Sequence, residues 1–156
     1  AVGSDVATAQ PWFPSAGAVT LEANTTYFFD GYLRTSRSAG TVSHTTSLLF
    51  SAGTLTFFAL TYKAQCNTGD VVTNGAENQT ASEVATAVVV KAASTSATEQ
   101  ISIHVTGVLR VNAAGTFIPG FQYSSAPGGA PTIMAETYFR LVKEGHGSVT
   151  TRGTWA

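Results

Sequence analysis

Charge is the scarcest property of this sequence. Lys, Arg, Asp and Glu fill 11% of its 156 positions, less than half of the roughly 25% usual in soluble domains. The acids and bases are scattered, and the formal net charge is −1. No stripe of cations could neutralise phosphates, so nucleic acid is not an expected partner. No polybasic cluster for anionic lipid occurs either. The longest apolar runs are far too short to span a bilayer, so no membrane is expected.

Cysteine is nearly missing too. Cys66 stands alone, which rules out an intramolecular disulfide and a four-cysteine zinc site. The three histidines, His44, His104 and His146, show no His-x-His or His-x-x-x-His spacing. They read as surface or hydrogen-bonded residues, and no metal is expected. Phosphate loops and dinucleotide fingerprints are absent; Gly128-Gly129 is flanked by prolines and matches neither, so no cofactor is expected. No Gly-x-Ser-x-Gly elbow occurs. The start, Ala1-Val2-Gly3-Ser4-Asp5, lacks the basic head and apolar core of a signal peptide. Because the chain does not begin with Met, it is expected to be a processed protein or, preferably, a piece of a longer one.

What fills the space is Thr, Ser, Ala and Gly, with β-branched and aromatic residues in short alternating runs. Thr26 to Thr35 places Tyr27, Phe29, Gly31 and Leu33 on one face and Phe28, Asp30, Tyr32 and Arg34 on the other. Glu99 to Asn112 alternates most cleanly, with Ile101, Ile103, Val105, Leu109 and Val111 together. Further strands are read at Ala18–Glu22, Thr41–Phe50, Thr54–Gln65, Glu83–Lys91, Phe117–Ser124, Thr132–Lys143 and Ser148–Trp155. Pro119 marks a bulge or edge. Ala113–Thr116 reads as a hairpin turn, and residues 81–85 as an alternative helical turn. Cys66–Thr80 reads as the longest loop. The pattern predicts a single all-β domain over residues 1–156, a jelly-roll-like sandwich of about eight to ten strands without substantial helix. Residues 1–16 read as an extended N-terminal arm. Trp12 is expected to pack one end of the sandwich.

Several segments are greasy on both faces: Tyr27-Phe28-Phe29, Leu48-Leu49-Phe50 and Phe57-Phe58. A two-layer sandwich has one core, so each strand needs only one apolar face. The surplus predicts a subunit interface formed by Phe28, Tyr32, Phe50, Phe58 and Tyr62. The competing reading covers these faces with loops of the same chain.

Catalysis finds little support. Cys66 has no histidine near it in sequence, so it reads as an incidental thiol. Asp30 and Glu136 are the candidate glycosidase pair, but pairing with Arg34, Arg110 or Arg140 is the expected role. No catalytic residue is therefore assigned. If the domain contacts a receptor, the loops are the expected place, through Asn67, Asp70, Asn74, Tyr123 and Pro127.

A set of strings carries a resemblance. They are Trp12-Phe13-Pro14, Gly17-Ala18-Val19-Thr20-Leu21-Glu22-Ala23-Asn24-Thr25-Thr26-Tyr27 and Ser43-His44-Thr45-Thr46-Ser47-Leu48. Later come the run from Gly107 to Ser124, Ala126-Pro127-Gly128-Gly129-Ala130-Pro131-Thr132, Tyr138-Phe139-Arg140-Leu141 and Trp155. Together they resemble a C-terminal β-rich domain of tailed-bacteriophage virion proteins, over nearly the whole chain. The departures fall at Ser51-Ala52-Gly53 and in the polar Cys66–Thr80 segment. The resemblance implies a non-catalytic homotrimer on the phage particle, at a tail-fibre tip, a head fibre or a capsid decoration. Its expected partners are itself, other virion proteins and a host surface glycan. The alternatives are a lectin-like carbohydrate-binding module and a hydrolase built on Asp30 and Glu136.

Overall fold

The computed structural model describes residues 2–52, 55–68, 72–79 and 87–146. Within them the chain forms β1 (Gln10–Pro11), β2 (Val19–Leu21), β3 (Thr25–Arg37), β4 (His44–Leu48), β5 (Ser51–Ala52), β6 (Leu55–Cys66) and β7 (Gly75–Gln79). It continues through β8 (Val88–Ser94), β9 (Glu99–Val111), β10 (Gly115–Ile118), β11 (Gly120–Tyr123), β12 (Thr132–Ile133) and β13 (Tyr138–His146). No helix occurs among the described residues. The all-β, sandwich-like class is as the sequence predicts. The strand number exceeds eight to ten because β1, β5 and β12 are two-residue pieces. The alternative helical turn and the final strand fall outside the described residues.

The large sheet runs β7-β6-β9-β3, and β12 and β13 follow one another along the free edge of β3. Two smaller sheets, β1-β11-β4-β8 and β2-β10-β5, cover its inner face. The chain moves repeatedly between layers, so neighbours in a sheet are distant in sequence. β9 is the spine of the large sheet, paired along its length with β3 and β6.

The turn at 113–116 is not a hairpin. β10 leaves β9 and pairs with β2 and β5 in the other layer. A strand with apolar residues on one face is equally satisfied by any sheet edge above the core, so alternation alone cannot choose the partner. The break at Pro119 is real. It separates β10 from β11, and its carbonyl accepts a hydrogen bond from the Trp12 N–H at 2.9 Å. The expected Cys66–Thr80 loop is also partly strand, because β7 folds back on β6. His146 lies at the end of β13, opposite Thr25.

The core is largely aromatic. Phe29 stacks between Phe58 and Phe139, with ring centres 5.5 Å away on each side. Phe50 stacks on Phe117 at 5.7 Å, and Trp12 stands edge-on to Phe139 at 5.6 Å. Trp12 is completely buried. Rings from β3, β6, β10 and β13 thus weld the layers together, and each buried ring contributes about 1.5–3 kcal/mol by leaving water.

Candidate interaction face

The two-faced segments resolve differently from the sequence expectation. Phe50, Phe58 and Tyr62 lie inside the chain's own core, with Phe58 wholly enclosed. They are not available to a partner. Phe50 follows Leu48 by two residues, so both enter the core. A bulge precedes Phe57 and Phe58: the register slips between Leu55 and Phe57, opposite Val111 and Arg110. The extra residue, Thr56, shifts the alternation so that Leu55 and Phe58 both point inward. Its hydroxyl donates to the Arg110 carbonyl at 3.2 Å and secures the bulge. Phe57 is consequently turned outward.

Phe28 and Tyr32 do project from the outer face of the large sheet. Phe28 is 51% exposed, Val142 42% and Phe57 39%. The register sets Val142, Phe28, Val108 and Ala59 in one row across β13, β3, β9 and β6. Thr26, Arg110 and Phe57 form the next row. An apolar strip therefore crosses one end of a broad sheet face.

The other end is polar and aromatic. Tyr138, Tyr32, His104 and Lys63 share a row, and Arg140, Asp30, Thr106 and Thr61 share the next. Asp30 accepts a hydrogen bond from the Tyr138 hydroxyl at 2.6 Å. Its second oxygen lies 3.1 Å from His104 Nε2. The Tyr138 bond holds the Asp30 carboxyl below the usual carboxylate range, against some desolvation, and His104 and Arg140 add to this. The same bond pushes the Tyr138 phenol up. Beside His104, between β6 and the start of β7, a shallow groove is walled by Thr61, Lys63, Asn74 and Gly75.

The expected receptor loops fare unevenly. Tyr123 is 1% exposed, and its ring meets His44 edge-on at 5.2 Å. Burial, followed by the nearby Glu99 charge, pushes its phenol far up. Pro127 is also buried, because its loop lies against Gly40–Val42: Val42 N–H donates to the Pro127 carbonyl at 3.2 Å. The glycines at that crossing, Gly40 and Gly128, have φ of 89° and 84°, a conformation suited to residues without a Cβ. Asn67 and Asn74 are exposed, yet their side-chain carbonyls accept backbone N–H groups from Gln100 (2.6 Å) and Ala64 (2.9 Å). Asp70 lies outside the described residues, as does Trp155.

Asp30 and Glu136 are held by different partners. Glu136 binds Arg34 at 3.2 Å, and Arg34 is four residues along β3 from Asp30, about 13 Å at the usual strand rise. Arg110 binds Thr56 and neither acid. The Cys66 thiol lies 2.9 Å from the Thr68 hydroxyl. Among the described residues no three His, Cys, Asp or Glu side chains gather as metal ligands.

One cluster escaped the sequence reading. Arg37, His44, Lys91 and Glu99 are all buried. Glu99 lies 2.8 Å from Lys91 Nζ, 3.4 Å from His44 Nε2 and 3.8 Å from Arg37 Nε. His44 Nδ1 donates to the Val42 carbonyl at 2.8 Å, and Arg37 donates to the Ala39 and Ser96 carbonyls at 2.6 and 2.8 Å. Arg37 and Glu99 are register partners at the ends of β3 and β9, while His44 and Lys91 come from β4 and β8 in the other layer. The cluster ties the layers together. Its only sequence signal was a charge at the last inward position of β3, Arg37, and at the first of β9, Glu99.

Comparison with family models, curated proteins and solved structures finds no match for the chain.

Proposed function

We propose that this chain is a non-catalytic structural domain of a bacteriophage virion and that it works as a homotrimer, at a fibre tip or as a capsid-surface decoration. The observation that carries the reading is the apolar strip of Phe28, Val142 and Val108, with Phe57 beside it, on the outer face of the large sheet. The subunit buries Phe50, Phe58 and Tyr62 in its own core, and among the described residues this strip stays outside that core. Contiguous exposed apolar side chains mark association surfaces. The sequence resemblance to tailed-phage virion domains supplies the trimer and the setting, with other virion proteins as further neighbours. The separate engagement of Asp30 and Glu136 supports the non-catalytic part.

Size-exclusion chromatography with light scattering tests it. A sharp trimer is expected, and the Phe28→Glu/Val142→Glu pair is expected to give a folded monomer. A wild-type chain that stays monomeric at high concentration overturns the proposal. The second reading, a lectin-like module outside a virus, is favoured by the Tyr32–Tyr138 pair beside Asp30.

A further inference from the structure

The geometry points to a carbohydrate-binding strip at the polar end of the outer sheet face, with Tyr138 and Tyr32 as stacking platforms and Asp30 and His104 as hydroxyl partners. Tyr138 and Tyr32 are cross-strand neighbours, and Tyr32 is in turn opposite His104. Lys63 ends the row on β6. Three inter-strand gaps of ~4.8 Å make the row about 14 Å long, which suits a short oligosaccharide. At its end the surface dips into the groove between β6 and β7. The ligand path is therefore continuous from an aromatic plate to a polar trough.

The chemistry fits a sugar. A pyranose offers an apolar C–H face and a rim of hydroxyls. Tyr rings give a rigid apolar plate with a polar tip and lose little entropy on contact. Tyr138 is 44% exposed, so the plate is open. Asp30 is fixed from two sides by donors on two other strands, at 2.6 and 3.1 Å. An ionised carboxylate has about four acceptor sites, so two bonds leave room for sugar hydroxyls. Thr61 and Thr106, whose hydroxyls are 2.8 Å apart, line the flank. A nucleic acid also stacks on aromatics, but its phosphates need a cationic track. Here Asp30 sits in the middle of the strip.

The inference rests on the virion reading only for its purpose, host attachment; binding itself does not require a trimer. The test uses the whole chain on a printed array of bacterial O-antigen and capsular polysaccharide fragments with glucan, chitin and mannan oligosaccharides. Calorimetry on the best array ligand follows. Binding is expected, with about tenfold or greater loss in Tyr138→Ala and in Tyr32→Ala, the loss of one stacking ring. Tyr138→Phe, which keeps the plate, is expected to lose less. Phe28→Glu is expected to retain binding, so a failed trimer and a failed sugar site read out separately. No binding on the array, or unchanged affinity in both alanine variants with native melting curves, overturns the proposal.

Discussion

The ring of Phe29 occupies the space that a Cβ on Gly107 would need. The two are register partners on β3 and β9, and a Cβ built on Gly107 falls 2.4 Å from Phe29 Cζ and 2.1 Å from the Ala59 carbonyl oxygen. One strand further out, Phe139 covers Gly31 in the same way, 2.6 Å from its built Cβ. The two glycines let the rings lie flat enough on the sheet to stack on one another.

Gly107→Ala is therefore expected to destabilise the fold by about 3 kcal/mol, the upper end for over-packing, because a backbone carbonyl cannot yield as a ring can. Gly31→Ala meets ring atoms of Phe139 and Trp12 and is expected to cost less. Urea melts of the two variants check the order. A Gly31 variant less stable than the Gly107 variant would remove this account of the stack.

Adjacent phenylalanines are expected to behave as opposites. Phe58→Ala empties a wholly buried site, at a cost of about 3–5 kcal/mol. Phe57→Ser, one residue earlier on the outer face, is expected to change subunit stability by less than about 0.5 kcal/mol. Its effect should appear instead in the concentration dependence of association. Thermal melts over a range of concentrations separate the two. Equal losses for both, independent of concentration, would show that Phe57 packs internally.

Fold class was legible because β3 and β9 alternate over their whole length, and one face of each is apolar. Strand partners were not. The hairpin expected at 113–116 fails because local pattern says which face is buried and not which edge is joined. Of the five residues expected at an interface, two stand on the outer face and three are buried in the core. Phe28 and Tyr32 are outward because they sit in an unbroken alternation. Phe58 was misread because Thr56 bulges, and a bulge leaves no mark in hydrophobic pattern. Tyr123 and Pro127 were read as loop contacts because proline and glycine signal turns; the Gly40–Gly128 crossing buries that turn under another. The charged cluster stayed hidden because its four members are separated in sequence and only the strand order brings them together.

That cluster sets the expected acid behaviour. Burial pulls the Glu99 carboxyl upward, but its bonds to His44 and Lys91 outweigh this and hold it below its ordinary value of 4.5. The folded state thus binds this proton more weakly than the unfolded chain. Glu99 contributes stability above pH 4.5 and loses it as pH falls through the lower folded value. Asp30, held below its ordinary 3.8, acts with the same sign, its contribution being lost as pH falls through its own lowered value. Stability is expected to fall on acidification below about pH 4.5. Glu99→Gln leaves Lys91 and Arg37 facing a neutral amide in a buried site, so it is expected to cost about 3–5 kcal/mol at pH 7. It should also flatten the acid limb, because the proton that drives it is gone. Denaturant melts of both proteins between pH 3 and 7 measure this. A variant that keeps the full acid limb would assign the pH dependence to other carboxylates, and one as stable as the parent at pH 7 would remove the cluster's part in joining the layers.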